Sequence, residues 1–123
     1  MYKKLIVYQK SKDLVLKVYQ LSKDFPRAEK YNLTSQIRRA SISILANIAE
    51  GYVKGSTREH LRFLDISLGS AAEVEVYLDI SLDLKYINEN QYKSIYLLLI
   101  EVIKLLRAYQ KSLRRKSWSR KES

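Results

Sequence analysis

Three Gly and one Pro in 123 residues give this chain few places to turn, so its elements must be long. The apolar pattern supplies the period. Leu14, Val18, Leu21 and Phe25 recur at spacings of four, three and four, one face of a helix of about residues 8–25. Pro26 stops it, because Pro lacks a backbone donor and restricts the residue before it. A second helix of about 34–50 carries Ile37, Ser41, Ile44 and Ile48 on one face, with Gly51 at its end, where a left-handed residue often closes a helix. Ser56-Thr57-Arg58-Glu59 fits a capping box that opens a third helix of about 57–84, striped by Leu64, Leu68, Ala71, Val74, Leu78 and Leu82. Asn88 to Gln91 repeats that signature more weakly before a fourth helix of about 89–114. Short connections between long helices predict an all-α, antiparallel up-down-up-down four-helix bundle over residues 1–114, with a basic tail at 115–123.

The fourth helix is apolar on more than one side. Ile95, Leu99, Val102, Leu106, Tyr109 and Leu113 form one seam, yet Leu97, Leu98, Ile100 and Leu105 lie off it. A second apolar face needs a second neighbour, either a thick core within the monomer or another subunit. A homo-oligomer is the favoured expectation. Ten Tyr point the same way, since a Tyr ring tolerates a half-wet interface.

Composition excludes much chemistry. Without Cys there are no disulfides, cysteine-ligated metal sites or thiol nucleophiles, and a single His argues against a His-centred catalytic or metal array. His60 has Thr57 three residues before it, so the Glu-x-x-His motif of di-metal bundles is absent. Glu75, Asp79 and Asp83 make an acidic ladder that reads as a solvated face or as one opposing a basic neighbour. Gly51 to Thr57 superficially resembles a phosphate loop, but it has one residue too few between its glycines and lacks Lys before the hydroxyl residue. The expectation is a protein that is not an enzyme and uses no cofactor. The N-terminal apolar stretch is too short for a signal peptide and the run Ile95–Ile100 too short to span a bilayer, so a cytoplasmic protein with no membrane role is expected.

The net charge of +10 favours an anionic partner, and it is unevenly spread. Residues 1–39 carry ten basic and three acidic side chains, residues 40–106 six and nine, and residues 107–123 seven and one. Lys104, Arg107, Lys111 and Arg114 follow one helical stripe, and Arg115, Lys116, Arg120 and Lys121 continue past it with Trp118 among them. Phosphates would relieve the repulsion within such a stripe, and Trp118 would stack on an unpaired base. A solubilising tail is the alternative.

The second helix carries a family resemblance. Gln36-Ile37-Arg38-Arg39-Ala40-Ser41-Ile42-Ser43-Ile44-Leu45-Ala46-Asn47-Ile48-Ala49-Glu50-Gly51 resembles the signature of the four-helix-bundle proteins encoded in intervening sequences of bacterial 23S ribosomal RNA genes. Phe25-Pro26, Tyr31-Asn32-Leu33, Phe63-Leu64, Gly69-Ser70, Glu73 and Tyr86-Ile87 extend it along nearly the whole chain. The resemblance implies an antiparallel bundle assembled into a ring-like homopentamer with no known enzymatic activity. A more distant branch is similar to the accessory protein of diversity-generating retroelements, which binds a reverse transcriptase and nucleic acid. Two positions depart from the pattern. Leu45 stands where many members have Pro, which removes the cause of a kink, and Tyr8 stands about where many have Trp.

Physically, the signature's Ala and Ser residues invite a close helix crossing, and Gly69-Ser70-Ala71-Ala72 offers a matching patch on the third helix. Arg38, Arg39, Asn47, Glu50 and Glu73 are polar groups set among these small residues, and pairing of Arg38 or Arg39 with Glu50 or Glu73 is favoured over an anion site. The functional expectation is an oligomeric bundle that binds RNA or DNA non-specifically as a scaffold. The alternative is a protein–protein adaptor for an acidic partner.

Overall fold

Pro26 and Gly55 fall at breaks between long helices, whereas Gly51 and Gly69 lie inside them. The structure, a computed structural model, describes the backbone of residues 1–122 and the side chains of residues 1–118. A single 3-10 turn at Tyr2–Lys4 leads into α1 (Ile6–Ser22), and a second, Arg27–Glu29, leads into α2 (Leu33–Val53). Then follow α3 (Thr57–Asp83) and α4 (Glu89–Glu122), with no strand among the described residues.

The boundaries differ from the sequence expectations for physical reasons. Pro26 offers no N–H to the Ser22 carbonyl, which accepts instead from Phe25 N–H at 3.2 Å, and α1 therefore ends at Ser22 rather than at residue 25. Gly51 does not cap α2; it lies inside it, and the left-handed residue is Gly55, at φ 84°. The Asn88–Gln91 box is the complete one: Asn88 N–H donates to Gln91 Oε1 at 2.9 Å, and Gln91 N–H donates to Asn88 Oδ1 at 2.8 Å. Ser56 Oγ accepts from Glu59 N–H at 3.1 Å, but the Glu59 carboxylate turns to Arg62 instead of back to the cap. Helix α4 continues through residues 115–122, where a separate tail is expected from the sequence. No Gly or Pro interrupts that stretch.

Four stripes meet in one core. Leu14 and Val18 from α1, Ile37, Ile44 and Ile48 from α2, Leu64, Val74 and Leu78 from α3, and Ile95, Leu99 and Leu106 from α4 are fully buried. Burial of each contributes about 1.5–3 kcal/mol. Helix α2 passes unbroken through Leu45, as expected without Pro there. Tyr8 packs at the core's edge and meets the Tyr2 ring edge-on at 5.2 Å between centroids. Off the α4 seam, Leu98 and Leu105 also pack against this core, while Leu97 is 62% exposed. Part of the second apolar face is thus used within the monomer.

Helices α2 and α3 make the closest approach. Ser67 Oγ donates to the Ile44 carbonyl at 2.9 Å, and the Ser43 and Ser70 hydroxyls meet at 2.7 Å. A Cβ at Gly51 would lie 2.9 Å from Phe63 Cβ and 3.2 Å from the His60 carbonyl oxygen. The small patch expected on α3 is therefore split. Ser70 and Ala71 are buried, while Gly69 and Ala72 are exposed, and a Cβ at Gly69 would meet nothing within 4 Å. Gly51→Ala is expected to destabilise the fold by about 1–3 kcal/mol through overpacking, read as a lowered urea midpoint at unchanged slope.

Candidate nucleic-acid interface

Side chains at 100° intervals decide which cations share a face of α4. On that geometry Lys104, Arg107, Lys111, Arg114, Arg115 and Trp118 fall in one arc, and Lys116 lies off it. All seven are exposed, Trp118 by 65%, and none of these cations forms an ion pair among the described residues. Because the helix continues past residue 114, Arg115 and Trp118 of the expected tail extend the stripe on the same arc. The side chains of Arg120 and Lys121 lie outside the described residues.

Two contacts fix this part of α4 against α3. Gln110 Nε2 donates to Asp65 Oδ1 at 2.7 Å, and the Tyr109 ring meets His60 edge-on at 5.1 Å between centroids. They hold Leu61 beside Arg114, Ser117 and Trp118, which together line a shallow recess of about 150 Å³. Sequence reasoning missed His60 and Gln110 as positioning residues. Gln110 carries a legible signal, since it falls on the core-facing side of α4 one residue after Tyr109.

His60 is buried, and its Nε2 has no hydrogen-bond partner among the described residues. Burial pushes its imidazole below the usual histidine range. The acidic ladder has a partner in Tyr92, whose hydroxyl donates to Asp79 Oδ1 at 2.6 Å. That bond, with burial second, pushes the Tyr92 hydroxyl up to about 12.

The polar network expected on α2 is not formed as ion pairs. Arg38 Nε donates to Ser22 Oγ at 2.8 Å, and its guanidinium lies 4.6 Å from the centre of the Tyr19 ring. Asn47 Nδ2 donates to the Ser43 carbonyl within its own helix at 2.8 Å. Arg39, Glu50 and Glu73 are exposed, and among the described residues neither arginine pairs with either glutamate. The ion pairs that form among the described residues are Lys10 with Glu101 at 3.3 Å and Arg62 with Glu59 at 3.1 Å. The physical reason is register. Ser22 and the Tyr19 ring lie within Arg38's reach on α1, whereas Glu73 sits on the outer side of α3.

Fold and surface together define a four-helix bundle with an exposed basic face and, among the described residues, no group of three or more His, Cys, Asp or Glu side chains placed to hold a metal ion. The chain belongs to the 23S rRNA-intervening sequence protein family, whose model matches residues 3–108. It is also similar to a protein of unknown function from the S23 ribosomal protein family of Bacteroides thetaiotaomicron, solved at 1.70 Å resolution. The two are 29% identical with a TM-score of 0.77, over 86% of this chain and 99% of that one. No curated protein matches the chain. The family match ends at residue 108, so Lys111, Arg114, Arg115, Lys116 and Trp118 lie beyond it. No helix among the described residues is long and apolar enough to cross a membrane.

The buried imidazole gives this end of the bundle an acid sensitivity. The folded chain favours neutral His60, so its contribution is complete above the ordinary histidine value of about 6.5. It is lost as pH falls through the lower folded value, because the unfolded chain takes up the proton first. Urea unfolding at stepped pH below neutrality is expected to show a falling midpoint in the wild type and a smaller fall in His60→Leu.

Proposed function

We propose that this protein is a non-enzymatic, oligomeric scaffold that binds RNA or DNA through backbone phosphates along the outer face of α4. The carrying observation is the arc from Lys104 to Arg115, whose cations lie on one exposed face without carboxylate partners among the described residues. Such a surface matches a line of phosphates, and release of their counterions drives binding with little sequence preference. Trp118, beside the Leu61 recess, adds an exposed ring on which a base stacks.

In this reading the helices form an antiparallel up-down-up-down bundle. The pairings of Lys10 with Glu101 and Lys17 with Ser94 support that arrangement for α1 and α4. Assembly into a ring of identical subunits, a pentamer by family resemblance, follows the same reading. Its support is the outer face of α3, where Ile66, Gly69, Val76 and Ile80 share one exposed stripe with Arg62 and Glu73. Gly69 has room there for a close neighbour. A second copy covering this stripe would bury apolar surface that a single chain leaves in water. Several basic arcs on one assembly would then bind together through effective concentration.

Binding of labelled RNA and DNA duplexes is expected to fall steeply between about 50 and 200 mM salt, and Arg114→Ala/Arg115→Ala/Lys116→Ala to lower both the affinity and the salt slope. Binding that ignores salt would overturn the phosphate reading and favour an acidic protein partner. Val76→Glu, at a position 54% exposed in the single chain, is expected to reduce the mass measured by light scattering while leaving the helical circular dichroism unchanged. An unchanged mass would remove α3 from the interface.

A further inference from the structure

The Arg38 and Arg39 pair, free of the glutamates expected to neutralise it, belongs to a different surface. Late α1 and early α2 enclose a cleft of about 460 Å³ in which Tyr19, Lys30, Tyr31, Thr34, Arg38 and Arg39 all take part. Three of these six side chains are cationic, two are aromatic, and none is acidic. The Arg38 guanidinium covers the Tyr19 ring, and Lys30 Nζ lies 5.3 Å from the centre of the Tyr31 ring. Tyr31 is 81% exposed, which leaves most of its ring open to solvent.

The start of α2 adds donors. Asn32 makes no side-chain cap, so the backbone N–H groups of Thr34 and Ser35 in the first turn have no intrahelical partner. Thr34 is only 8% exposed and lines the cleft. Glu29, the acidic residue at this helix start, is occupied by the Tyr86 hydroxyl at 2.8 Å and by Leu33 N–H at 3.4 Å. A bare aromatic face, a cationic rim and unpaired donors on one cleft match the two halves of a nucleotide, an unstacked base and its phosphate.

We infer that this cleft binds an unpaired nucleotide of single-stranded RNA or DNA, with the base stacked on Tyr31 and its phosphate held by Arg39, Lys30 and the Thr34 hydroxyl. Duplex nucleic acid does not fit this chemistry, because paired bases offer no free face to Tyr31. The cleft is separate from the α4 arc. Lys17 donates to Ser94 at 2.6 Å, which places late α1 beside early α4, and the twenty residues from Ser94 to Arg114 span about 30 Å of helix. The inference therefore stands or falls independently of the α4 reading.

Fluorescence anisotropy on the full chain tests it, using labelled oligouridylate and oligothymidylate of about 15 nucleotides and a duplex of equal length. Tyr31→Ala and Arg39→Ala are each expected to weaken single-strand binding by at least about fivefold and duplex binding by less than about twofold, with Tyr31→Phe like the wild type. Both residues are exposed, so neither variant threatens folding. Equal losses on single strand and duplex, or none on either, would overturn the inference. Displacement of the strands by uridine monophosphate at comparable concentration would also overturn it, assigning the cleft to a free nucleotide. The triple variant at Arg114, Arg115 and Lys116 is expected to act chiefly on duplex. Loss of that effect with the Tyr31 and Arg39 effects intact would fail the α4 reading alone.

Discussion

The close approach of α2 to α3 is the constraint on which the rest of the bundle depends. Three serine hydroxyls and one glycine make it possible. Ser67 caps the Ile44 carbonyl, Ser43 meets Ser70, and Gly51 leaves room for Phe63 and His60. Small side chains let two backbones approach, and their hydroxyls take up polar groups that the approach would otherwise strand. With that pair fixed, α1 and α4 close over the remaining apolar stripe through Leu14, Val18, Leu99 and Leu106. The same approach buries His60, which then offers its ring to Tyr109 and helps hold the basic end of α4.

Charge is organised around this core in two places. The late part of α4 carries cations along one exposed arc, anchored by Gln110 and Asp65. Late α1 and early α2 carry Lys30, Arg38 and Arg39 around two tyrosines. The acidic ladder of α3 stands apart from both, with Asp79 tied to Tyr92 at the start of α4. The family match covers the α1–α2 cleft but ends before most of the α4 arc. The cleft thus sits within the part of the chain shared with the family, and most of the arc belongs to its extension.

How much was legible depended on the range of the interaction. Ile37, Ser41, Ile44 and Ile48 are all buried, because a helical period is a local property of the chain. The capping boxes were legible for the same reason, although the stronger proved to be Asn88–Gln91. Arg38 was misassigned because its partner is chosen across helices. Glu50 and Glu73 are attractive in charge, but Ser22 and Tyr19 are the groups within reach. Gly51 was misread similarly, since a glycine near a helix end looks like a cap until the neighbouring helix is seen against it.

The sequence by itself determined four helices, their buried faces and the family, since each rests on spacing along one chain. Scarce Gly and Pro set the helix lengths, and the cations past residue 106 marked the basic end. Only the tertiary structure decided which small residues face a neighbour, sending Ser70 and Ala71 inward and Gly69 outward. It also decided that Arg38 and Arg39 border an aromatic cleft instead of closing an ion pair. Rotation of one helix about its axis relative to the next sets both outcomes, and periodicity within a single helix does not encode it.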